Sequence, residues 1–267
     1  MTPIQKLKLL KNNLSKLDNL TVAFSGGVDS TFLLKIAKDV LNENVLAVTV
    51  NAFIHTKKEI QESINYASEI YVKHTVIHVN DINIKEFIDN LPERCYFCKK
   101  EIFTKIIEIS NENDINNIAD GSNIDDLSDF RPGMKALKEL GIMSPLKEAG
   151  LTKQEIRDLS KMLDIPTWNK PSFACLASRI PYNHKITPQK LDMIEKSEEY
   201  ISQLGFKQFR VRHHGEIARI ELEQNEILKF LESGSSDKVC KYLKSLGFSY
   251  VTIDLMGYRT GSMNEVL

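Results

Sequence analysis

Short apolar runs alternate with amphipathic stretches over the first half of the chain. Residues 20–24 (LTVAF) are apolar and end on Ser-Gly-Gly, and Phe32, Leu33, Ile36 and Ala37 then recur at helical spacing. The pattern predicts a strand, a tight turn and a helix over residues 30–40. It repeats with strands at 45–50, 75–79 and 115–119 and helices at 57–72 and 98–109. Such alternation predicts an α/β fold, a doubly wound parallel sheet with right-handed helical crossovers. In these sheets ligands bind beyond the carboxyl ends of the strands. Two segments fall there: residues 25–30 and Asp120-Gly121-Ser122-Asn123.

The pattern changes over residues 168–180, which hold Pro171 and little periodicity, before Pro181, Thr187-Pro188 and an amphipathic helix at 189–204. Strands at 208–213, 217–222 and 250–255, with helices at 226–231 and 238–246, predict a smaller C-terminal α+β domain. The expected division is 1–180 and 181–267. No internal repeat interrupts it.

Composition narrows the class. With 267 residues and 42% apolar content the chain is long enough to bury a core without staples. Thirty-five Lys and Arg against 36 Asp and Glu leave no global field toward nucleic acid or an anionic membrane. The lysine-studded start lacks an apolar core segment, and no stretch approaches membrane-spanning length, so the expected location is cytoplasmic. Four cysteines are too few for a disulfide scaffold.

The turn at residues 25–30 (SGGVDS) carries the clearest chemistry. Gly26 and Gly27 allow a sharp turn and close backbone approach, so that successive amides and the helix start point at one anion. Ser25 and Ser30 add hydroxyls. Asp29 would repel a bare phosphate, so it argues for a Mg²⁺–nucleotide. The spacing matches neither G-x-x-x-x-G-K-[ST] nor G-x-G-x-x-G. A second feature is Cys95-Tyr96-Phe97-Cys98 at a helix start, where amide dipoles favour thiolate. With Cys175 it supplies three thiols. A half-buried helix face, a redox dithiol, a zinc site wanting a fourth ligand, and a 4Fe–4S cluster with one open iron all stand open at this point. Cys240 reads as core. Arg210 and Arg212 share one strand face and suit a phosphate bidentately, or make ordinary ion pairs. Adjacent His213 and His214 point to opposite faces. Asp125 and Asp126 read as Mg²⁺ ligands or caps, and Lys99 or Lys100 as adenylate neutralisers or solvated lysines.

The SGGxDS string resembles that of the PP-loop ATP pyrophosphatases (adenine-nucleotide alpha hydrolase-like), which split ATP to AMP and pyrophosphate while activating a carbonyl or carboxyl carbon. Residues 170–182 (KPSFACLASRIPY), together with DGSN at Asp120, Arg131-Pro132-Gly133, Ser144-Pro145-Leu146 and the terminal GYRTGSMNE from Gly257, resemble the LarE family of ATP-dependent sulfur transferases. The resemblance spans the chain. It implies adenylation of the carboxylates of pyridinium-3,5-biscarboxylic acid mononucleotide and their conversion to thiocarboxylates, for the nickel-pincer nucleotide cofactor of lactate racemase. It implies ATP and Mg²⁺ held at Ser25, Gly26, Gly27, Asp29, Ser30 and Gly121. Asp29, Cys175, Ser178 and Arg179 are the catalytic candidates, and Arg210, Arg212 and Arg259 form an anion site in a hexamer. One branch of the family sacrifices the sulfur of a cysteine matching Cys175. The other, which this chain resembles, pairs it with C-x-x-C, so that Cys95, Cys98 and Cys175 are expected to hold a 4Fe–4S cluster fed by sulfide or another sulfur donor. Rival readings are a PP-loop tRNA thiolase, which the balanced charge argues against, an ammonia-using synthetase, and a non-catalytic nucleotide-binding or metallochaperone module.

Overall fold

Thr2 and Gln5 close a capping box and start helix α1 (Pro3–Leu14). In chain order there follow β1 (Leu20–Ala23), α2 (Val28–Leu41), β2 (Val45–Ala52), α3 (Lys57–Glu69), β3 (Lys73–Val79), a one-turn α4 (Lys85–Ile88), α5 (Arg94–Glu112), β4 (Ile118–Ala119), α6 (Gly133–Glu139), α7 (Pro145–Glu148) and α8 (Lys153–Met162). The second half contributes α9 (Pro188–Gln203), β5 (Phe209–His214), β6 (Ile217–Leu222), α10 (Ile227–Glu232), α11 (Ser235–Ser245) and β7 (Tyr250–Ile253). This computed structural model describes residues 1–79, 84–128, 132–171, 174–259 and 261–265. Arg131, Ser172, Phe173 and Thr260 of the family-like strings lie outside the described residues.

The chain forms two compact units, residues 1–84 with 93–173 and residues 85–92 with 174–267. In the first, four parallel strands lie in the order β3-β2-β1-β4, with Leu20 opposite Val45 and Thr21 opposite Ile118. The chain walks outward from β1 to β3 and then returns to the other side of β1. The crevice beyond the carboxyl ends of β1 and β4 is therefore the topological switch point. Right-handed crossovers put α2 and α3 on one face of the sheet and α5 on the other. Phe32, Leu33, Leu34 and Ile36 of α2 are fully buried, in one core with Leu10 and Leu14 of α1, Ala67 of α3 and Ile156 of α8. Each such side chain stabilises by about 1.5–3 kcal/mol, which fixes α2 and the turn that feeds it.

In the second unit β5 and β6 pair antiparallel, and α10 and α11 form the crossover that brings β7 parallel to β6. Phe206, Phe209, Val211, Ile220, Phe230 and Leu243 form its core. The short segment 85–92 belongs here because buried Asn90 donates from Nδ2 to the carbonyls of Ile180 and Pro181, at 3.1 and 2.7 Å. The Ile186 amide likewise donates to the Ile88 carbonyl.

Some expected bounds change. The strand expected over 115–119 is only Ile118–Ala119, because Asp114 takes a left-handed φ of 57° and the Ile115 amide turns back to the Ser110 carbonyl. Helix α5 begins at Arg94 rather than 98, so Cys95 and Cys98 both lie on its first turns. Cys240 is half-buried on α11, flanking rather than joining the core of Val239 and Leu243.

Candidate functional site

The turn after β1 is held by its own serines. Ser25 Oγ lies 3.1 Å from Ser30 Oγ, the Gly27 amide donates to Ser25 Oγ at 3.4 Å, and Ser30 Oγ donates to the Gly27 carbonyl at 3.3 Å. Gly26 has φ of 66°, and a Cβ there would meet the Ser63 backbone at 3.2 Å, so this position requires glycine. Gly27 caps α2 without any side-chain hydrogen bond, which leaves the start of a 14-residue helix without a side-chain cap. Gly121, after β4, comes so close that a Cβ would stand 3.0 Å from the Ser30 amide nitrogen. The two loops expected at the carboxyl edge are thus packed backbone to backbone.

The carboxylates near this turn are all engaged. Buried Asp120 accepts from the hydroxyls of Ser122 and Ser144. Asp126 Oδ2 accepts from the Asn123 amide at 2.9 Å, and Asp125 Oδ2 accepts from the Lys153 amide at 2.8 Å. Asp29 Oδ1 accepts from Asn123 Nδ2 at 3.3 Å, and its Oδ2 is ion-paired with the Lys153 ammonium. A second lysine, Lys170, donates to the Gly26 carbonyl at 2.8 Å and pairs with Glu62 at 2.6 Å. Arg157 of α8 holds the carbonyls of Trp168 and Lys170, both at 2.7 Å, and so aims Lys170 at the loop. Neither Lys153 nor Lys170 has a spacing to residues 25–30 that sequence periodicity would reveal. The available signals were the Thr152–Glu155 capping box that starts α8 and the opening lysine of residues 170–182.

Cys95 and Cys98 stand one turn apart at the start of α5, whose cap residue Glu93 makes no side-chain hydrogen bond to the helix. None of the four cysteines is in a disulfide, and Cys98 is the buried one of the pair. Gly133 opens α6 against this turn, where a Cβ would meet the Cys95 carbonyl oxygen at 3.2 Å. Lys100 lies over the Tyr96 ring and pairs with Glu139. Among the described residues no group of three or more His, Cys, Asp or Glu side chains is arranged to hold a metal ion. Two thiols at a helix start nevertheless fit iron or zinc ligation by donor chemistry.

In the second unit, Cys175 caps a 3-10 turn (Leu176–Arg179) and is half-buried. Arg179, 1% exposed, grips that turn: Nη1 donates to the carbonyls of Ala174 and Cys175 at 2.5 and 3.2 Å and to Ser178 Oγ at 3.0 Å. Its Nε and Nη2 form a bidentate pair with Glu198, both at 2.9 Å. Burial alone would raise the Glu198 carboxyl, but Arg179, Arg210 and the Val211 amide hold it below the ordinary glutamate range. Arg179 therefore shapes the Cys175 turn from behind.

Arg210 and Arg212 share a face of β5. Arg212 donates to the Ser178 carbonyl at 3.0 Å, to Glu221 at 2.7 Å and to Ser262 Oγ at 3.0 Å, while its buried Nε has no hydrogen-bond partner among the described residues. On the same face the buried Nε2 of His214 is also without a partner among the described residues. Burial, and after it the charge of Arg179, push the Arg210 guanidinium below the ordinary arginine range, with the Tyr258 ring 5.1 Å away. Gly257, at φ of 66° and with its Cβ direction blocked 2.7 Å away by the Leu222 carbonyl, sets Tyr258 in place. Arg259, next to Tyr258 in the chain, forms a bidentate pair with Glu265 at 3.0 and 3.1 Å.

The structure thus brings Ser25, Gly26, Gly27, Asp29, Ser30 and Gly121 together in the first unit, with Cys95 and Cys98 on α5 of that unit. It brings Cys175, Ser178, Arg179, Arg210 and Arg212 together in the second. A family model described as a PP-loop domain matches residues 2–130. The chain is 39% identical over 258 residues, covering 95% of it and 92% of the relative, to the pyridinium-3,5-bisthiocarboxylic acid mononucleotide synthase of Lactiplantibacillus plantarum. It is 38% identical over 262 residues, 98% of each chain, to an uncharacterised protein of Synechocystis sp.. It is also 34% identical over 263 residues, 97% of this chain and all of the relative, to an uncharacterised protein of Methanocaldococcus jannaschii. A glycine turn at the switch point, within the residues matched by the PP-loop model, and near-complete coverage by a synthase together establish that the chain belongs to the LarE family of PP-loop, ATP-dependent enzymes.

Proposed function

We propose that the protein adenylates the carboxylates of pyridinium-3,5-biscarboxylic acid mononucleotide with ATP and converts them to thiocarboxylates, a reading supported by its likeness to the pyridinium-3,5-bisthiocarboxylic acid mononucleotide synthase of Lactiplantibacillus plantarum. The observation that carries the ATP half is the uncapped start of α2 behind a serine-braced, glycine-dependent turn at the sheet's switch point. ATP docks with its phosphates on Ser25, Gly26, Gly27 and Ser30, with Mg²⁺ at Asp29 and Gly121 leaving room for the backbone to approach. The substrate carboxylate oxygen attacks the α-phosphorus and pyrophosphate leaves, drawn by amides aimed where its charge develops. A sulfur nucleophile then forms a bond to the acyl carbon, and AMP departs with the carboxylate oxygen.

In this reading Cys95, Cys98 and Cys175 ligate a 4Fe–4S cluster. With three thiolates such a cluster leaves one iron open to exogenous sulfide, which is the sulfur chemistry it supplies. Arg179 and Ser178 keep the Cys175 turn in shape. Arg210 and Arg212, with Arg259, bind the substrate's phosphate, a role supported by the buried Nε of Arg212, which has no hydrogen-bond partner among the described residues. The homo-oligomer, a hexamer by family resemblance, and the cytoplasmic location are parts of the same reading. A second reading is favoured by the half-exposed position of Cys175 on a turn of its own: this thiol gives up its sulfur once and becomes dehydroalanine.

Anaerobic reconstitution with iron and sulfide, followed by absorption and Mössbauer spectroscopy and product mass spectrometry, separates the two. A brown protein with a 4Fe–4S signature that weakens in Cys95→Ala, and makes several thiocarboxylates per chain, is expected. A colourless protein that makes one thiocarboxylate per chain and loses the mass of H₂S establishes sacrifice instead. Salt-sensitive tRNA binding in a gel shift, without turnover of the mononucleotide, would replace both with a tRNA thiolase.

A further inference from the structure

We propose that a cavity among α2 and the carboxyl ends of α3 and α8 is a second ligand site, and that it takes an organic ammonium cation with an apolar body. The cavity has a volume of about 370 Å³ and lies wholly within the first unit, a size suited to a small molecule. Ile70, Leu163, Ile165 and Pro166 supply its apolar surface, and Tyr66 and Tyr71 its aromatic surface. Tyr71 is 83% exposed, so the cavity opens to solvent on that side. Tyr71 also holds a left-handed backbone, with φ of 57°, where a bulky residue is rare and glycine is at ease. The ring is thus kept at the cavity mouth against local backbone preference. At the floor, fully buried Thr31 of α2 lines the cavity, and its Oγ1 has no hydrogen-bond partner among the described residues. A buried hydroxyl in that state favours an N–H donor from a ligand.

The charge of the ligand follows from what converges there. Glu69, Ile70 and Tyr71 end α3 and Leu163, Asp164 and Ile165 follow α8, so the negative ends of two helix dipoles meet at the cavity. The last turn of α3 carries no basic residue. Glu69 and Asp164 add two carboxylates, and neither forms an ion pair among the described residues. Burial, and after it the charges of Glu62 and Glu69, push the Tyr66 phenol above the ordinary tyrosine range. The nearby cations are already engaged. Lys35 pairs with Asp39, Lys170 pairs with Glu62 while lying over the Tyr66 ring, and Lys161 of α8 lies over the Trp168 ring. Two carboxylates and two tyrosines therefore favour a positive ligand over an anionic one. Four apolar residues favour an organic body over a bare metal ion, which would want oxygen ligands on every side.

Isothermal titration of the full-length protein with phenethylammonium and, separately, with uncharged phenethyl alcohol tests this. The ammonium is expected to bind once per chain, and the alcohol about tenfold more weakly. Glu69→Gln/Asp164→Asn is expected to weaken the ammonium about tenfold and to leave the alcohol within about twofold. Tyr71→Gly separates binding from folding, because glycine accepts the left-handed φ while the ring is lost. Its melting temperature is expected to hold or rise, and its ammonium affinity to fall by about threefold or more. No saturable binding of phenethylammonium to the wild type would overturn the proposal. Equal affinity for the two probes, or an ammonium affinity unchanged in the double carboxylate variant, would overturn it in favour of a neutral apolar cleft.

Discussion

Arg179 shows how much of a site one buried side chain holds. Its five N–H donors meet Glu198, two carbonyls and the Ser178 hydroxyl, and all of them fix the turn that carries Cys175. Arg179→Met removes the bidentate partner of largely buried Glu198 and leaves it only the Val211 amide and the charge of Arg210, so a loss of about 3 kcal/mol is expected in chemical denaturation, with much of it recovered in Arg179→Met/Glu198→Met. Because the turn then loosens, thiol labelling at Cys175 is expected to quicken in the single variant even under folded conditions. Gly121 makes the opposite kind of argument, from space rather than charge. A methyl there stands 3.0 Å from the Ser30 nitrogen and 3.3 Å from its Cα, atoms that begin α2 and cannot yield cheaply. Gly121→Ala is therefore expected to weaken nucleotide binding by about tenfold, roughly 1.4 kcal/mol, and to lower the melting temperature as the helix start gives way. Unchanged binding by titration would show that the close approach is unimportant to the ligand. At this scale the turn residues were legible because each acts within six positions of the others. The Lys153–Asp29 pair was not, since 124 residues separate its members and no local pattern encodes that contact.

Elements were legible where apolar residues repeat. Helix α2 buries Val28, Phe32, Leu33, Leu34, Ile36, Ala37 and Leu41, and β2 is buried along nearly all its length, so both stand out in the sequence. Helix α8 buries only Ile156, Leu159 and Ser160 in ten residues, and α6 and α7 are two turns or fewer, so periodicity passes over them. What the sequence does carry for α8 is its cap. Thr152 Oγ1 accepts from the Glu155 amide at 3.2 Å, and Glu155 returns a bond to the Thr152 amide at 2.9 Å while pairing with Lys6 of α1 at 2.7 Å. The cap thus fixes the helix start that carries Lys153 and ties it to the first helix. Thr152→Ala is expected to cost about 1 kcal/mol, a fall of roughly 2–4 °C in melting temperature. It is also expected to weaken Mg²⁺-pyrophosphate binding, because a frayed first turn loosens the Lys153–Asp29 pair at the turn of residues 25–30. A variant with the lower melting temperature and wild-type pyrophosphate affinity would show that the cap serves stability alone.

For the whole molecule, the acid response follows from where its histidines lie. Burial pushes His55, His74, His213 and His214 below the ordinary histidine value of 6.5, two in each unit. Glu59 opposes the shift at His55 without reversing it, and at His213 and His214 nearby Lys190 and Arg219 add to it. The unfolded chain therefore binds protons at these positions before the folded one does. Stability contributed by the neutral histidines is complete above pH 6.5, and it is lost as pH falls from there toward their lower folded values. Each proton taken up only on unfolding contributes a slope of up to about 1.4 kcal/mol per pH unit. Glu198 and Glu155 behave differently. Arg179 and Lys6 hold them below the glutamate value of 4.5 despite burial that opposes it, so their contribution persists through the histidine window and falls only in stronger acid. Denaturation midpoints measured from pH 7.5 to 3 are thus expected to fall in two steps, the first centred below 6.5 and the second below 4.5. His74→Gln tests the first step directly. Thr49 Oγ1 donates to the Phe24 carbonyl and meets His74 Nε2 at 2.8 Å, so glutamine keeps a donor to the hydroxyl but has no proton to gain. Its absolute stability will differ, but the slope through the first window is expected to flatten. An unaltered slope would mean that the other histidines carry that step without His74.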